Sequence, residues 1–303
     1  MITKFGKRFL TNYIAGNIGF VQKDLALGIG TTAVNAKGKD TRLEFEFYRL
    51  PASLGSIDIT QTGVDVDSEP IFSYTAIYKA TIPQDIAGVI SEVGLYPGAR
   101  TSLNNFDSKF LTDFENNLLW SDGTFNPALK PNTSSPVFTA KIGENMVQYN
   151  VSASSVLEYK NSLVSYDISG YSVNDTISIA YKKADNNVSK IRVKLYSSDT
   201  AYCWVDFTPT AGTGDKIQST TLNNLFSNIT ATSPDFSTIT KIGLEVTAGS
   251  GGATVVYFDG IRINDEDTFD PTYGMISRSV LTTPITKSLG KQMVIEYRIG
   301  LSF

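Results

Sequence analysis

The chain of 303 residues contains no histidine and a single cysteine, Cys203. One thiol cannot close an internal disulfide, and a zinc site built from Cys and His ligands cannot be assembled within the chain. Without histidine the commonest general base is gone, and with it the usual activator of a serine or cysteine nucleophile. Ser152, Ser154 and Ser155 have no such partner, and no Ser-x-x-Lys in a helical setting replaces it. Positive charge is also scarce, with 26 Lys and Arg against 30 Asp and Glu and a pI near 5.0. Phosphate neutralisation needs clustered Lys and Arg, so no nucleic-acid partner is expected. No window approaches the roughly 20 apolar residues that cross a bilayer, so no membrane insertion is expected. Residues 1–10 carry three basic residues among scattered apolar ones, without the continuous apolar run of a secretory signal.

What is present suffices for about two domains of ordinary size. Hydrophobic residues make up 41% of the chain and aromatics 11%, enough to bury two cores. Phe5, Phe9, Leu10, Tyr13 and Ile14 fall at helical spacing and predict a short amphipathic N-terminal helix. Phe20 to Leu27 reads as a strand leading into the Gly28-Ile29-Gly30 turn. That turn lacks the third glycine and following helix of a dinucleotide loop. Leu43, Phe45 and Phe47 alternate with Glu44, Glu46 and Tyr48, which predicts a strand, as do Ile71–Ala80 and the terminal run from Met293 to Leu301. Between about 104 and 266 the text changes to Ser, Thr, Asn, Asp and Gly loops separating short β-branched runs. These are 146–151, 163–168, 175–182, 190–197, 202–208, 239–246 and 253–263, the pattern of an antiparallel sandwich.

With the middle removed, the two ends complete one pattern. Gly28-Ile29-Gly30-Thr31-Thr32, the Leu43 to Pro51 strand, Tyr74 to Ala80, Ile90 to Tyr96, Met275 to Val280, Ile285-Thr286-Lys287 and Gln292 to Leu301 follow one another closely. This order resembles a small β-rich domain of tailed-bacteriophage tail, collar and fibre proteins. The resemblance implies a discontinuous virion-attachment domain, residues 1–103 and 267–303, in a structural component of a virion. It also implies assembly with other virion proteins and with copies of itself. The middle segment, 104–266, resembles the jelly-roll carbohydrate-binding modules and galactose-binding-like domains. The resemblance is carried by Asp113-Phe114-Glu115 before Trp120, Lys141-Ile142-Gly143 before Met146 to Asn150, and Val255 to Ile263 as the closing strand.

Each candidate residue has a functional reading beside an ordinary one. Phe5, Phe9, Glu44, Glu46, Arg49 and Lys287 are candidates for assembly contacts. Glu44, Glu46 and Glu92 are carboxylates of the kind glycosidases pair, but alternation along one strand makes a charged face the simpler reading, and no enzyme is expected. Trp120, Tyr181, Tyr196, Tyr202 and Trp204 are candidates for stacking on a glycan, against the ordinary fate of strand aromatics as core. Glu115 and Asp259 occupy positions where related jelly rolls supply calcium ligands, and calcium is the one cofactor considered. The expectation is a mainly β chain docking by its terminal domain onto a tailed-phage particle and projecting a jelly roll. A module binding a glycan of a host surface is the alternative.

Overall fold

The computed structural model describes residues 1–15, 23–97, 109–131, 140–264 and 274–302. The chain divides into two compact units, Met1–Thr101 with Asp267–Phe303, and Ser102–Glu266. The junctions expected near 103 and 267, residues 20–22 of the first expected strand and the Phe5 side chain lie outside what is described.

The first part of the chain forms α1 (Lys4–Ile14), β1 (Lys23–Gly28), β2 (Glu46–Val64), β3 (Pro70–Ile82) and β4 (Gly88–Pro97). The middle part forms β5 (Lys109–Thr112), β6 (Trp120–Ser121), β7 (Ala128–Pro131), β8 (Asn145–Val151), β9 (Val156–Asn161), β10 (Thr176–Lys183) and β11 (Val188–Tyr196). It continues through β12 (Tyr202–Phe207), β13 (Gly214–Thr221), α2 (Leu222–Ser227), β14 (Lys241–Ala248) and β15 (Thr254–Asn264). The closing part forms β16 (Ser277–Lys287) and β17 (Met293–Ser302).

In the discontinuous unit the strands run β16-β4-β1-β2-β3-β17. The terminal strand β17 pairs antiparallel with β3 from Met293 opposite Ile82 to Ser302 opposite Ser73, and β16 pairs with β4. Ser277 Oγ on β16 donates to Tyr297 Oη on β17 at 3.1 Å, so the two outer strands of the sheet approach each other and the sheet curls. Leu25, Leu27, Leu50, Ile82, Ile90, Val93, Leu95, Ile295 and Tyr297 are buried inside it. Each such side chain is worth about 1.5–3 kcal/mol of transfer free energy. Helix α1 begins at Thr3, whose hydroxyl accepts from Gly6 N at 2.9 Å. A cap of this kind satisfies one of the first-turn N–H groups that have no intrahelical partner. Thr3 N donates to Ile276 O at 2.9 Å, which fixes the helix to the chain entering β16.

The expected strand around Leu43 starts later, at Glu46. The N–H groups of Glu44 and Phe45 donate to the Glu92 carboxylate, leaving no ladder there, and Leu43 and Phe45 are buried outside any strand.

The second unit is a sandwich. One sheet runs β13-β10-β15-β8-β7, with β5 also paired to β15, and the other runs β12-β11-β14-β9-β6. Inward residues of both sheets share one core that includes Phe114, Trp120, Tyr149, Ile179, Val193, Leu195, Cys203, Leu244 and Phe258. The expected strand at 163–168 is reduced to a single bridge, Tyr166 with Ile239, because the Asn161 side chain accepts from Leu163 N and turns the chain. The edge strand β13 escaped prediction because its residues are mostly polar.

Candidate functional site

Strand alternation sorts the residues of β9, β11, β12 and β14 onto two faces. Leu195, Cys203, Val205, Ile242, Leu244 and Val246 point into the core. The opposite face carries Tyr202, Trp204, Asp206, Arg192, Lys194, Tyr196, Gly243, Glu245, Glu158 and Lys160. Registry aligns them in rows across the sheet. Tyr202 lies beside Tyr196 and Lys241, Trp204 beside Lys194, Gly243 and Lys160, and Asp206 beside Arg192, Glu245 and Glu158.

The polar groups on this face hold one another. Arg192 grips Asp206 with two parallel bonds, Nε to Oδ1 at 2.6 Å and Nη2 to Oδ2 at 2.8 Å. That fork holds the Asp206 carboxyl below its usual range and raises the guanidinium. Lys194 Nζ sits 2.7 Å from Glu245 Oε2 and 3.2 Å from Glu158 Oε2. Burial pulls the Lys194 ammonium down, but these two carboxylates outweigh it and its pKa is raised. Tyr196 Oη donates to Glu158 Oε1 at 2.7 Å, reaching diagonally across β14. Only glycine fits beneath that bond. A Cβ at Gly243 would lie 2.5 Å from Glu158 Oε1 and 3.0 Å from the Tyr196 ring.

The aromatic rings form a short file. Tyr196 and Tyr202 have centroids 4.7 Å apart, and Tyr202 and Trp204 5.8 Å apart. The Arg192 guanidinium lies 5.3 Å from the Trp204 ring centre and Lys194 Nζ 5.7 Å from that of Tyr202. Tyr202 and Trp204 are half-exposed, and Tyr196 is buried with its phenol pKa raised, first by burial and then by Glu158. Flat rings beside fixed donors and acceptors are able to cover an apolar ring face while bonding its hydroxyl rim.

The other two aromatic candidates are elsewhere. Trp120 is 1% exposed and packs on Phe114 at 4.9 Å, and Tyr181 is buried against Phe258 with its hydroxyl bonded to Gln218. Both face inward by strand alternation, so neither offers a stacking surface. The strand period of two, read strictly from Cys203, separates Tyr202 and Trp204 from the core positions. The same count puts Arg192, Lys194, Glu158 and Glu245 on the outer face, while their pairing follows from which strands are neighbours.

Glu115 and Asp259 are both drawn to the chain just before β8. Glu115 Oε1 accepts from Glu144 N and Asn145 N at 3.0 and 2.9 Å, and Oε2 accepts from the Asn145 side chain. Asp259 accepts from Lys141 N at 2.8 Å and Ile142 N at 3.3 Å. It lies where β15 slips register against β10, between Phe258 and Gly260. Its carboxyl is pushed up to about 8, chiefly by burial, with Asp215 and Glu115 adding to the rise. The Glu115 carboxyl is also raised by burial. All four oxygens of these two carboxylates accept N–H groups of the chain before β8, so the pair as it stands ties that segment to β15 and offers calcium no set of six to eight free oxygens. Among the described residues no group of three or more His, Cys, Asp and Glu comes together.

The assembly candidates are mostly internal. Phe9 is 3% exposed and belongs to the core of its unit. Glu46 is held by Arg49 with two bonds of 2.7 Å, and the Arg49 guanidinium lies 4.0 Å from the Tyr96 ring centre. Glu44 does not share a strand face with Glu46, because its carboxylate accepts from Thr31 N and Thr32 N before the strand begins. Lys287 is buried and donates to Ile86 O and Ser288 O, each at 2.7 Å. Glu44, Glu46, Arg49 and Lys287 thus make these bonds within their own unit, with Glu44 and Arg49 still partly exposed. Glu92, weighed with Glu44 and Glu46 as part of a charged face, is instead fully buried and bonded to Arg278. No described helix is long and apolar enough to cross a membrane.

No protein-family model matches the chain, and no curated protein matches its sequence. Among solved structures it is similar to the family 11 carbohydrate-binding module of cellulosomal cellulase Lic26A-Cel5E of Clostridium thermocellum. The identity is 17% and the TM-score 0.35, over 54% of this chain and 96% of that one. An exo-beta-agarase is similar at 16% identity and TM-score 0.35, over 52% of this chain and 24% of that enzyme. The glycoside hydrolase domain of Endo-D from Streptococcus pneumoniae R6 is similar at 9% identity and TM-score 0.30, over 78% of this chain and 38% of that one. At these low scores the likenesses assign neither a family nor a ligand.

Proposed function

We propose that the chain is a non-catalytic carbohydrate-binding adhesion component, with the outward face of β12, β11, β14 and β9 as its binding surface. The observation that carries this reading is the half-exposed pair Tyr202 and Trp204 beside a fixed set of charged groups, Arg192, Lys194, Glu158 and Asp206. Every carboxylate named on the face is already engaged by a cation, which suits bonding to neutral hydroxyls better than proton transfer. Titration of the full chain with soluble glycans, chosen from an array, tests it. Trp204→Ala and Tyr202→Ala are expected to weaken binding roughly tenfold each, about 1.4 kcal/mol. A chain that binds no glycan, or binds equally after both rings are removed, overturns the reading.

A second reading is that of a structural component of a tailed-phage particle, resident in the virion and docking through the discontinuous unit. It is favoured by the exposed hairpin of β2 and β3, whose Ile57, Ile59 and Phe72 have no cover among the described residues. Immunogold labelling of particles with an antibody to the chain tests it, and unlabelled particles would count against it.

A further inference from the structure

The hairpin β2–β3 runs beyond the core that its base helps to build. Pairing of β1 with β2 stops at Ala52, and pairing of β17 with β3 stops at Ser73. From Gln61 opposite Phe72 to the tip, the arm is two strands only. Two-stranded ribbons are marginal in water by themselves. At about 3.3 Å per residue, the stretch from Ile57 to Val64 projects roughly 23 Å.

Its two faces differ. Ile82, Ala80 and Tyr78 lie on the core side of β3, and the same side continues outward through Ala76, Tyr74 and Phe72. Across the ladder Ile57 opposes Ala76 and Ile59 opposes Tyr74. Ile57 and Ile59 are 56% and 60% exposed, so among the described residues nothing covers these two side chains. The reverse face holds Asp58 and Thr60 opposite Thr75 and Ser73.

The arm is also charged with one sign. Between Arg49 and Lys79 the only ionisable side chains of full charge are Asp58, Asp65, Asp67 and Glu69. Helix α1 is the complement. It contains Lys4, Lys7 and Arg8, all exposed, and no acid, and it ends in exposed Tyr13 and Ile14. Cations in the first turns of a helix oppose its macrodipole, so these three are placed at an energetic cost that an acidic partner would offset. Among the described residues none of these seven side chains makes an ion pair.

We propose that the β2–β3 arm of one copy docks on helix α1 of a second copy, joining chains head to tail. The apolar strip of Ile57, Ile59 and Phe72 covers Tyr13 and Ile14, and the acidic tip meets Lys4, Lys7 and Arg8. A contact between two different patches of the same chain builds rings or filaments instead of a two-fold dimer. This deepens the assembly reading of the discontinuous unit and fails separately from it. Absence of self-association would leave docking to another virion protein standing, whereas unlabelled particles would leave the solution mass unchanged.

The test is light scattering of the full chain after size exclusion, with two charge-reversed variants. The arm variant is Asp67→Lys with Glu69→Lys, and the helix variant is Lys4→Glu, Lys7→Glu and Arg8→Glu. The natural chain is expected at a multiple of its 33.0 kDa mass. Each variant alone is expected to associate at least tenfold more weakly, because its arm and helix now repel. Mixed in equal amounts they are expected to reassociate, since every arm then meets a helix of opposite charge. A monomeric natural chain at all soluble concentrations overturns the proposal, and so do association indifferent to the reversals and a mixture that stays apart. If a reversed variant melts early, Ile57→Ser with Ile59→Ser and the salt dependence of the natural chain decide instead. Association lost with the serines and with rising salt supports the contact, and association unmoved by both overturns it.

Discussion

Glu92 and Arg278, 186 positions apart in the chain, form a fully buried ion pair, with Arg278 Nε 2.9 Å and Nη2 2.7 Å from Glu92 Oε2. Glu92 Oε1 also accepts from Gly30 N and Phe45 N, and Arg278 reaches Asp40 and Thr32 O. The pair thus binds β4, β16 and the loops after β1 into one centre. Gly28 and Gly30 are required beside it, since a Cβ at either would lie 2.5 Å from Glu92 Oε1.

Glu92→Ala leaves a buried guanidinium without its main partner. The expected cost is about 3–5 kcal/mol, read from chemical denaturation of the full chain. Arg278→Met should cost a similar amount, and the double variant should cost clearly less than the two together. Additive losses would show that the pair is not coupled.

Truncation after Lys291 removes β17, and with it Ile295 and Tyr297 from the core of the discontinuous unit. Calorimetry is expected to lose the transition of that unit while the transition of the sandwich persists. A truncated chain with an unchanged melting profile would contradict the pairing of β17 with β3.

The two units were legible in the sequence to different depths. The closing strand of the chain could be joined to the N-terminal segment because Ile295, Tyr297 and Ile299 keep a strict period of two, which β pairing then uses. The sandwich strands 146–151, 175–182, 190–197, 202–208, 239–246 and 253–263 were found within a residue or two for the same reason. What stayed hidden was whatever depends on distant carboxylates. Phe45 is buried outside any strand because Glu92 takes its N–H, and nothing near residue 45 announces that. Trp120 and Trp204 are alike as letters, yet one follows a 3-10 turn into the core and the other stands on the outer face. On the outward face of β12, β11, β14 and β9, aromatic content was visible but the forks Arg192–Asp206 and Lys194–Glu245 depend on which strands become neighbours.

Asp259 makes the stability of the sandwich depend on pH. Its folded-state pKa is about 8 against an ordinary 3.8, so the folded chain keeps a proton that the unfolded chain releases between about pH 4 and pH 8. Its contribution is therefore complete below about pH 4 and is lost as pH rises through about 8. Denaturation at a series of pH values should show stability falling across that window, and Asp259→Asn should flatten the slope. An equal slope in Asp259→Asn would refute the assignment.

Cys203 is fully buried, and burial pushes its thiol up to about 12. The native chain is expected to resist a thiol reagent at neutral pH and to react once per chain in denaturant. Rapid labelling of the folded protein would show that β12 opens readily.

The split of one sheet across the two ends of the chain also has a schedule. During synthesis β1 to β4 leave the ribosome long before β16 and β17 exist, and at about 5–20 residues per second the wait is on the order of ten to forty seconds. Through that interval β4 and β3 are open edges of an unfinished sheet, which invites pairing with a neighbouring nascent chain. A stalled chain ending before Ser277 should therefore be cut by protease in its first hundred or so residues while its sandwich resists, and release of the full chain should abolish the cut.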